Sequence, residues 1–394
     1  MNYKPYAIVL IVIFLISSSV TLSAVGSEIT VTEETYYEFY SYPNMTKLIH
    51  ELQENHSDIM SIESIGQTYE GRDIWMVKLS DNVEIDENEP GILLMGAHHG
   101  NEKPSYEVLI HFIKHAVEFY NRENNDDDND GLINEDEIDG IDNDNDGRLD
   151  EDPSEERVRK AIDNTQIYII PMVNPDGVEA NTRKNRRPIY NENGDFISYG
   201  VDPNRNYGFR WNLYKLFPKG YNIVSHVSDD PKDSCYRGEY PFSENETKAV
   251  KEFVETHQIK ISISYHTSGR EVWTPWIHNC GRTPHHRLFV SIGKEIAKIN
   301  NYTLEGKIRF ILPLPIGSIG ESEDWLYGEH RILAFLIELD SPYDPPEVIQ
   351  RCCHSHIGVN LFVCEQSQTI KVKKIGSLNN IFFTNSIFSK FLEK

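Results

Sequence analysis

Continuous apolar runs alternate along the chain with segments whose apolar residues recur every three to four positions. The runs are typical of strands covered on both faces of a sheet, and the periodic segments are typical of amphipathic helices. The expected strands are residues 73–79, 91–97, 166–173, 260–265 and 331–339. The expected helices are residues 45–53, 104–119, 246–256 and 286–300.

Strands that alternate with helices predict an α/β fold. We expect a single domain with a mixed, mostly parallel central sheet and helices on both faces. In such sheets the chemistry gathers at the carboxyl ends of the strands. His99 and Glu102 follow one predicted strand, Asn174 follows another, and His266 comes directly after a third. These polar positions are therefore the first candidates for a functional site.

The beginning of the chain has the order of a secretory signal peptide. A lysine, an apolar stretch and a few small residues follow one another within residues 1–26. We expect cleavage near Gly26, a secreted protein and no stable membrane insertion afterwards; an uncleaved membrane anchor is the alternative. Behind the signal peptide we expect a short leader at 27–35, the folded domain at 36–366 and a tail without an assigned role at 367–394.

The net charge of −24 is concentrated in one segment. Residues 123–156 contain 17 acidic residues and one basic residue, so this segment accounts for −16 of the total. The remaining charge is ordinary for a secreted enzyme, and an acidic surface argues against binding to nucleic acid. Five cysteines permit up to two disulfide bridges with one thiol left over. The adjacent Cys352 and Cys353 lack the spacing of a structural zinc site, so a disulfide or a buried thiol is expected there.

The acidic segment contains a 16-residue repeat of carboxylates followed by glycine. Oxygen ligands at positions 1, 3 and 5 with a glycine at position 6 form the turn that wraps Ca²⁺. The expected calcium ligands are Asp126, Asp128, Asp130, Glu137, Asp142, Asp144, Asp146 and Asp150. The first copy resembles an EF-hand loop, and the second is more similar to thrombospondin type 3 repeats. The alternative is a solvated acidic loop. A calcium site here would order a long insertion and would not take part in catalysis.

His99, Glu102 and His266 are the expected ligands of a catalytic zinc ion. A His-x-x-Glu pair at the start of a helix places both side chains on one side, one turn apart. On its own the pair is a weak signal. With His266 at the end of another strand it gives the three protein ligands that leave a coordination position open for water.

A series of motifs surrounds these three positions. In chain order they are His99-x-x-Glu102, Asn174-Pro175-Asp176-Gly177, Arg183-Lys184-Asn185-Arg186, Gly200 to Asn206, Tyr236-Arg237-Gly238, Pro241 to Glu244, Tyr265 to Ser268, Asp324-Trp325 and Phe335 to Leu339. The series resembles the carboxypeptidase A/B family of zinc exopeptidases, the funnelins, in the order of that family and over residues 36–366. The resemblance implies a zinc carboxypeptidase domain that hydrolyses the C-terminal peptide bond of peptides or proteins, and we expect a monomer.

The same resemblance assigns further roles. Glu338 matches the glutamate that takes a proton from the attacking water and passes it to the leaving amine, and Arg183 matches the arginine that stabilises the oxyanion. Asn204 and Arg205 match the pair that binds the terminal carboxylate of the substrate. Asp202 matches the carboxylate that hydrogen-bonds the first ligand histidine, and His98 is expected to be a packed neighbour.

Three positions depart from the family pattern or bear on specificity. Asn101 replaces an arginine in the first motif, and Ile316 stands where the family has a tyrosine that caps the substrate carboxylate. Another tyrosine takes that role, or Asn204 and Arg205 select the carboxylate alone. Glu323 matches the floor of the side-chain pocket and favours basic C-terminal residues; the alternative is that Glu323 turns outward beside Glu321.

Two rival functions stay open at this point. The first is a zinc amidase of the same fold that acts on cell-wall or modified peptides, which Ile316 favours. The second is a calcium-dependent binding protein with a vestigial peptidase site. Retention of the three zinc ligands, Glu338 and Arg183 favours the active peptidase.

Overall fold

The computed structural model describes residues 36–120, 155–216, 226–278, 281–306 and 317–370. Several sequence predictions lie outside these residues: the signal peptide, the eight calcium ligands between 126 and 150, Ile316, Cys280 and the tail beyond 370. They stay predictions.

A mixed sheet of eight strands forms the centre of the described domain, as predicted. Its order is β1-β2-β4-β3-β7-β10-β8-β9, and the four central strands β4, β3, β7 and β10 run parallel. Strands β5 and β6 form a separate hairpin. The strands are β1 (Met60–Gln67), β2 (Asp73–Leu79), β3 (Gly91–Met95), β4 (Gln166–Ile170), β5 (Pro188–Tyr190), β6 (Phe196–Tyr199), β7 (Ile259–Thr267), β8 (Glu271–Trp273), β9 (Thr303–Leu304) and β10 (Leu333–Leu339).

Helices cover the sheet and contribute to its core. They are α1 (Tyr42–Asn55), α2 (Pro104–Phe119), α3 (Glu155–Asn164), α4 (Pro175–Glu179), α5 (Asn245–Thr256), α6 (His286–Ile299), α7 (Ser322–Trp325) and α8 (Pro346–Thr369). Helix α2 begins and ends where the sequence predicts. It begins at Pro104 because a proline in the first turn loses no helical hydrogen bond. None of the helices in the described ranges is both long enough and apolar enough to cross a membrane.

The central strands are buried on both faces. Ile92 and Leu94 of β3 belong to a core formed with helices α1, α2, α3, α6 and α8, whereas Leu93 and Met95 belong to a second core formed with α5 and α7. Alternate residues of a strand point to opposite faces, so a continuous apolar run is what two covered faces require. This confirms the prediction of helices on both faces.

Three of the predicted strands are longer than the observed ones because the backbone turns at one end. Strand β3 stops at Met95 because Ala97 adopts a left-handed conformation with φ of 48°, and β4 stops at Ile170, before Pro171. Strand β10 begins only at Leu333, since Arg331 has φ of 64°. Apolar composition continues through these turns, so the pattern alone overestimates strand length.

The pattern missed elements whose burial differs from the simple templates. Strand β1 lies at the edge of the sheet with mostly half-exposed residues, so it lacks an apolar run. Helix α8, with 24 residues, is buried on most sides and therefore shows little amphipathic periodicity. Its buried positions include Cys352, Cys353 and Cys364.

The expected disulfide bridges are not formed by the four cysteines in the described ranges. Cys235, Cys352, Cys353 and Cys364 are free thiols. The last three lie on one helix, where Cys364 is 11 or 12 positions from the pair and therefore roughly 16–18 Å away. A disulfide requires Cα atoms within about 7 Å, so Cys364 cannot form a bridge with Cys352 or Cys353. The alternative expectation of buried thiols is correct for this helix.

Candidate active site

Four neighbouring parallel strands bring polar residues to one edge of the sheet. His99 and Glu102 follow β3, Asn174 follows β4, and His266 and Glu338 are the penultimate residues of β7 and β10. In the register of β7 with β10, His266 is directly opposite Glu338. The site therefore occupies the carboxyl edge of the sheet, as the strand pattern predicts.

The loop that carries the first motif packs directly on the Asn-Pro-Asp-Gly loop. A Cβ at Gly100 would lie 1.9 Å from the carbonyl carbon of Gly177, so only glycine allows this contact. The Asn174 side chain accepts a hydrogen bond from the N–H of Gly177 at 2.9 Å and donates one to the His98 carbonyl at 3.2 Å. Asn174 thus holds the histidine loop in place and has a structural role.

His99, Glu102 and His266 converge on a common point. Their ligand atoms all lie within 4.8 Å of one another, and the three side chains are buried. The Nδ1 atoms of His99 and His266 are 3.2 Å apart, and Glu102 approaches each Nδ1 with one carboxylate oxygen, at 2.8 and 2.9 Å.

This donor set fits a zinc ion. Two ligands at about 2.0–2.1 Å from a tetrahedral ion lie roughly 3.3 Å from each other, close to the spacing of the two imidazole nitrogens. Two neutral imidazole nitrogens and one carboxylate are also the ligand types of catalytic zinc sites. The three side chains that the sequence predicts as zinc ligands therefore lie together in the structure.

Hydrogen bonds fix the orientation of both imidazole rings. The Nε2 atom of His99 lies 2.9 Å from Oδ1 of Asp202, so the ring donates there and keeps its Nδ1 lone pair for a metal. The Nε2 atom of His266 lies 3.1 Å from the Ser264 hydroxyl, which in turn is 3.2 Å from His98. His98 is buried and packed behind the ligand, as predicted. The sequence did not indicate the role of Ser264, because polar and apolar residues alternate in this strand and nothing distinguishes this serine from its neighbour Ser262.

Neighbouring charges lower the pKa of two carboxyl groups in the site. Although burial alone would raise the pKa of Asp202, Arg183 and His99 hold it well below the usual range. Burial likewise opposes ionisation of Glu102, but the neighbouring histidines lower the pKa of this carboxyl. Burial lowers the pKa of the fully buried His98 imidazole well below its usual value, and His266 adds to that effect.

Arg183 lies beside the metal ligands. Its Nε and Nη2 contact Oδ2 of Asp202 at 2.9 and 2.8 Å, and its Nη1 is 3.4 Å from a carboxylate oxygen of Glu102. The side chain keeps 27 % of its surface exposed, so it is not sealed into the core. This position suits a cation that meets negative charge developing on a substrate oxygen.

A short 3₁₀ turn, Pro203–Arg205, positions the two residues expected to bind the substrate carboxylate. Asp202 caps this turn by accepting the N–H of Asn204 at 3.0 Å, so the same carboxylate orients both His99 and the turn. The Asn204 amide accepts the N–H of Ser322 at 2.9 Å. Arg205 donates from Nε to the His226 carbonyl at 2.5 Å and from Nη1 to its neighbour's carbonyl at 2.7 Å.

An acidic residue without an assigned role contacts the same arginine. The Oε1 atom of Glu321 lies 3.1 Å from Nη1 of Arg205, and both side chains are almost fully buried. The Ser318 hydroxyl also donates to Oε1 of Glu321. From the sequence Glu321 is only a neighbour of Glu323, because its contact with Arg205 joins residues 116 positions apart and leaves no local pattern.

Glu323 and Asp324 lie on the short helix α7 and are both buried. Glu323 is 1 % exposed, so the alternative in which it turns outward is wrong. Burial raises the pKa of Glu323 to about 8, and the charge of Glu321 adds to the rise. Asp324 accepts the backbone N–H groups of Ile277 and His278, each at 3.0 Å, and so anchors the loop that follows β8.

Glu338 is half-buried at the end of β10. Its Oε2 atom is shielded from solvent and accepts no hydrogen bond from the described part of the chain. Burial raises the pKa of Glu338 to about 8, and the charge of Glu102 contributes. A carboxylate with a free lone pair beside a metal site is suited to accept a proton.

Comparisons with known proteins identify a family whose model covers most of the chain. The zinc carboxypeptidase family model matches residues 45–372. A zinc carboxypeptidase of Saccharothrix mutabilis subsp. capreolus is 26% identical over 76% of this chain and 62% of its own length. Human carboxypeptidase A6 is 24% identical over 77% of this chain and 60% of its own length. The chain thus spans less than two thirds of these relatives.

Solved structures agree on the fold. Bovine thrombin-activatable fibrinolysis inhibitor, solved in complex with tick carboxypeptidase inhibitor, superposes with a TM-score of 0.62 and 20% identity over 84% of this chain and 97% of that one. A likeness at this level of identity bears on the fold. The family match over most of the chain, together with the convergence of His99, Glu102 and His266, leads to one conclusion: the chain belongs to the zinc carboxypeptidase family.

Proposed function

We propose that this protein is a zinc-dependent carboxypeptidase that hydrolyses the C-terminal peptide bond of peptides or proteins. The observation that carries the proposal is the buried triad of His99, Glu102 and His266 with Glu338 opposite His266 in the sheet register. A structural zinc site has no need of a carboxylate with an unused lone pair beside it. A hydrolytic site needs such a base.

Each residue of the site has a separate role in the proposed reaction. A zinc ion held by the triad would supply a Lewis acid that lowers the pKa of a bound water to about 7. Glu338 takes a proton from the attacking water, holds it on Oε2 and releases it to the departing amine. Arg183 stabilises the negative charge that develops on the carbonyl oxygen. Asp202 and Ser264 keep the ligand rings in their orientation.

The substrate end of the site supports a preference for basic C-terminal residues. Asn204 and Arg205 lie in one rigid turn, within reach of His266 through the Asn204 amide at 3.3 Å. Glu323 is buried on the neighbouring helix, with Oε2 unpaired among the described residues. A buried carboxylate gains most from a cationic partner, so a lysine or arginine side chain is the expected occupant.

Turnover of a blocked dipeptide tests the proposed reaction. The purified protein is assayed as isolated, after removal of metal with a chelator, and after zinc is restored. We expect activity to be lost with the metal and to return with zinc. Activity that persists in the metal-free protein, or absence of turnover after zinc is restored, contradicts the proposal. The amide bond to the blocking group, which lies two residues from the C-terminus, serves as the control and should stay intact.

Export and calcium binding are further parts of the proposal. The order of residues 1–26 supports secretion, and the mass of the protein recovered outside the cells should correspond to cleavage near Gly26. The repeated carboxylates between 126 and 150 support structural Ca²⁺ sites. A calcium titration should raise the thermal midpoint, and an unchanged midpoint speaks against these sites.

A further inference from the structure

Arg205, the residue expected to bind a substrate carboxylate, already has an internal carboxylate as its partner. The ion pair between Nη1 and Oε1 of Glu321 measures 3.1 Å, and the two side chains are 8% and 5% exposed. The Nε atom of Arg205 is used by the carbonyl of His226. The Nη1 and Nε atoms of the arginine are therefore engaged before a substrate arrives.

The backbone on both sides of Glu321 is fixed to the turn that carries Arg205. The carbonyl of Gly320 accepts the N–H of Tyr207 at 3.0 Å, and the N–H of Ser322 donates to the Asn204 side chain at 2.9 Å. A Cβ at Gly320 would lie 2.1 Å from the Arg205 carbonyl oxygen. These contacts fix the backbone of Glu321 beside Arg205, and the Ser318 hydroxyl holds Oε1 of its carboxylate.

A free terminal carboxylate and a terminal carboxamide meet this pair differently. A carboxylate presents only acceptors, so it competes with Glu321 for the guanidinium and is repelled by its charge. A carboxamide carries no charge, and it presents an acceptor for Arg205 and N–H donors for the carboxylate of Glu321. The Oε2 atom of Glu321 is shielded from solvent and has no hydrogen-bond partner among the described residues.

We propose that Glu321 is a specificity-determining residue that occupies Arg205, suppresses selection for a free terminal carboxylate and lets the site accept peptides that end in a neutral carboxamide. This inference rests on the proposed function, because it concerns the same substrate site. It commits the site to a substrate end that carries both a donor and an acceptor. Loss of the Glu321 charge restores ordinary selection for a carboxylate.

Equilibrium binding to a protein that cannot turn over its ligand tests the proposal. In the full-length, zinc-loaded Glu338→Gln protein, dissociation constants are measured by calorimetry for a blocked tripeptide ending in a carboxylate and for the same tripeptide ending in a carboxamide. We expect the two affinities to agree within about threefold, since Arg205 is already paired. Adding Glu321→Gln should favour the free acid by about tenfold or more.

Two further variants separate this effect from a general disturbance. Glu244→Gln breaks another buried pair, in which the carboxylate contacts Arg187 at 2.9 Å, and should leave the ratio of affinities unchanged. Glu321→Asp keeps the charge but shortens the side chain, and should shift the ratio in the same direction by a smaller factor. It also provides the test if Glu321→Gln does not fold.

The possible results are distinct. A ratio that stays the same in the Glu321 variants, or free-acid binding that is not detectable in them, overturns the inference. A native ratio that already favours the free acid by about a hundredfold does so as well. Failure of the proposed reaction shows separately: the protein with Glu338 intact then cleaves neither tripeptide, whatever the affinities are.

Discussion

The metal site and the substrate end of the cleft lie side by side but are built in different ways. At the metal site the carboxylates of Glu102 and Asp202 face two imidazoles and one guanidinium, so each negative charge meets a partner. At the substrate end Arg205 lies among Glu321 and its buried acidic neighbours, where acids outnumber bases. The first site is ready for a cation, whereas the second keeps its arginine occupied.

The difference shows which property each part of the fold determines. Strand ends hold the ligands, so the chemistry depends on the central sheet, which belongs to the rigid core. Loops and the short helix α7 hold the substrate end, so specificity can change by one acidic side chain without disturbing the sheet. Variants on the two sides should therefore affect different measured quantities.

The largest effect is expected for Glu338→Gln. The amide keeps the shape of the side chain but cannot accept the proton, so kcat should fall by about 10³–10⁴. Zinc content and thermal midpoint should stay near those of the native protein. Glu271→Gln is the matched control, since Glu271 is the register partner of Glu338 on β8. Activity within tenfold of the native value would show that another group serves as the base.

A smaller loss of activity is expected for Arg183→Ala. Removing one donor to a developing oxyanion costs about 10²–10³ in kcat. The effect should appear in kcat rather than in KM, because the charge develops only in the transition state. Arg186→Ala is the control: its guanidinium stacks on the Tyr199 ring at 4.0 Å and pairs with Glu70. If KM alone changes, Arg183 binds the substrate in its ground state.

Asp202→Asn should weaken zinc binding by a smaller factor than those expected for kcat in the two preceding variants. The amide loses the charge that holds the Nε2–H of His99, and loss of such a partner costs about 10–100-fold in metal affinity. Competition with a chromophoric chelator measures this without any activity assay. Asp176→Asn is the control, because Asp176 is also a buried carboxylate paired with an arginine, at 2.7 Å, but contacts no ligand histidine. Equal affinities in both variants would contradict the role of Asp202.

Sequence alone predicted the metal side of this comparison far better than the substrate side. Met95 ends a continuous apolar run and His266 ends an alternating one, and parallel strands place such ends together whatever the loops do. His99 and Glu102 are linked by local helical spacing. These features are encoded within a few residues of one another, so a linear pattern displays them.

The substrate side depends on contacts between distant loops. The approach of Glu321 to Arg205 is fixed by the close packing of Gly320 on a turn 116 residues earlier, which no periodicity reveals. The same reason explains why the direction of Glu323 stayed open until the structure showed it buried. The edge strand β1 was not predicted because most of its residues are partly or fully exposed and form no apolar run.

The smallest effect, and the one that tests the substrate side most directly, is expected for Glu323→Gln. Native protein should cleave a peptide ending in lysine about tenfold better than its phenylalanine counterpart, measured as kcat/KM, and the variant should lose this ratio. Because the pKa of Glu323 is raised to about 8 by burial and by Glu321, its charge appears as pH rises through that value. The lysine side chain stays protonated until roughly pH 10. The native ratio should therefore increase between pH 7 and 9 while that of the variant stays flat; equal ratios in both proteins across this range would remove Glu323 from the pocket.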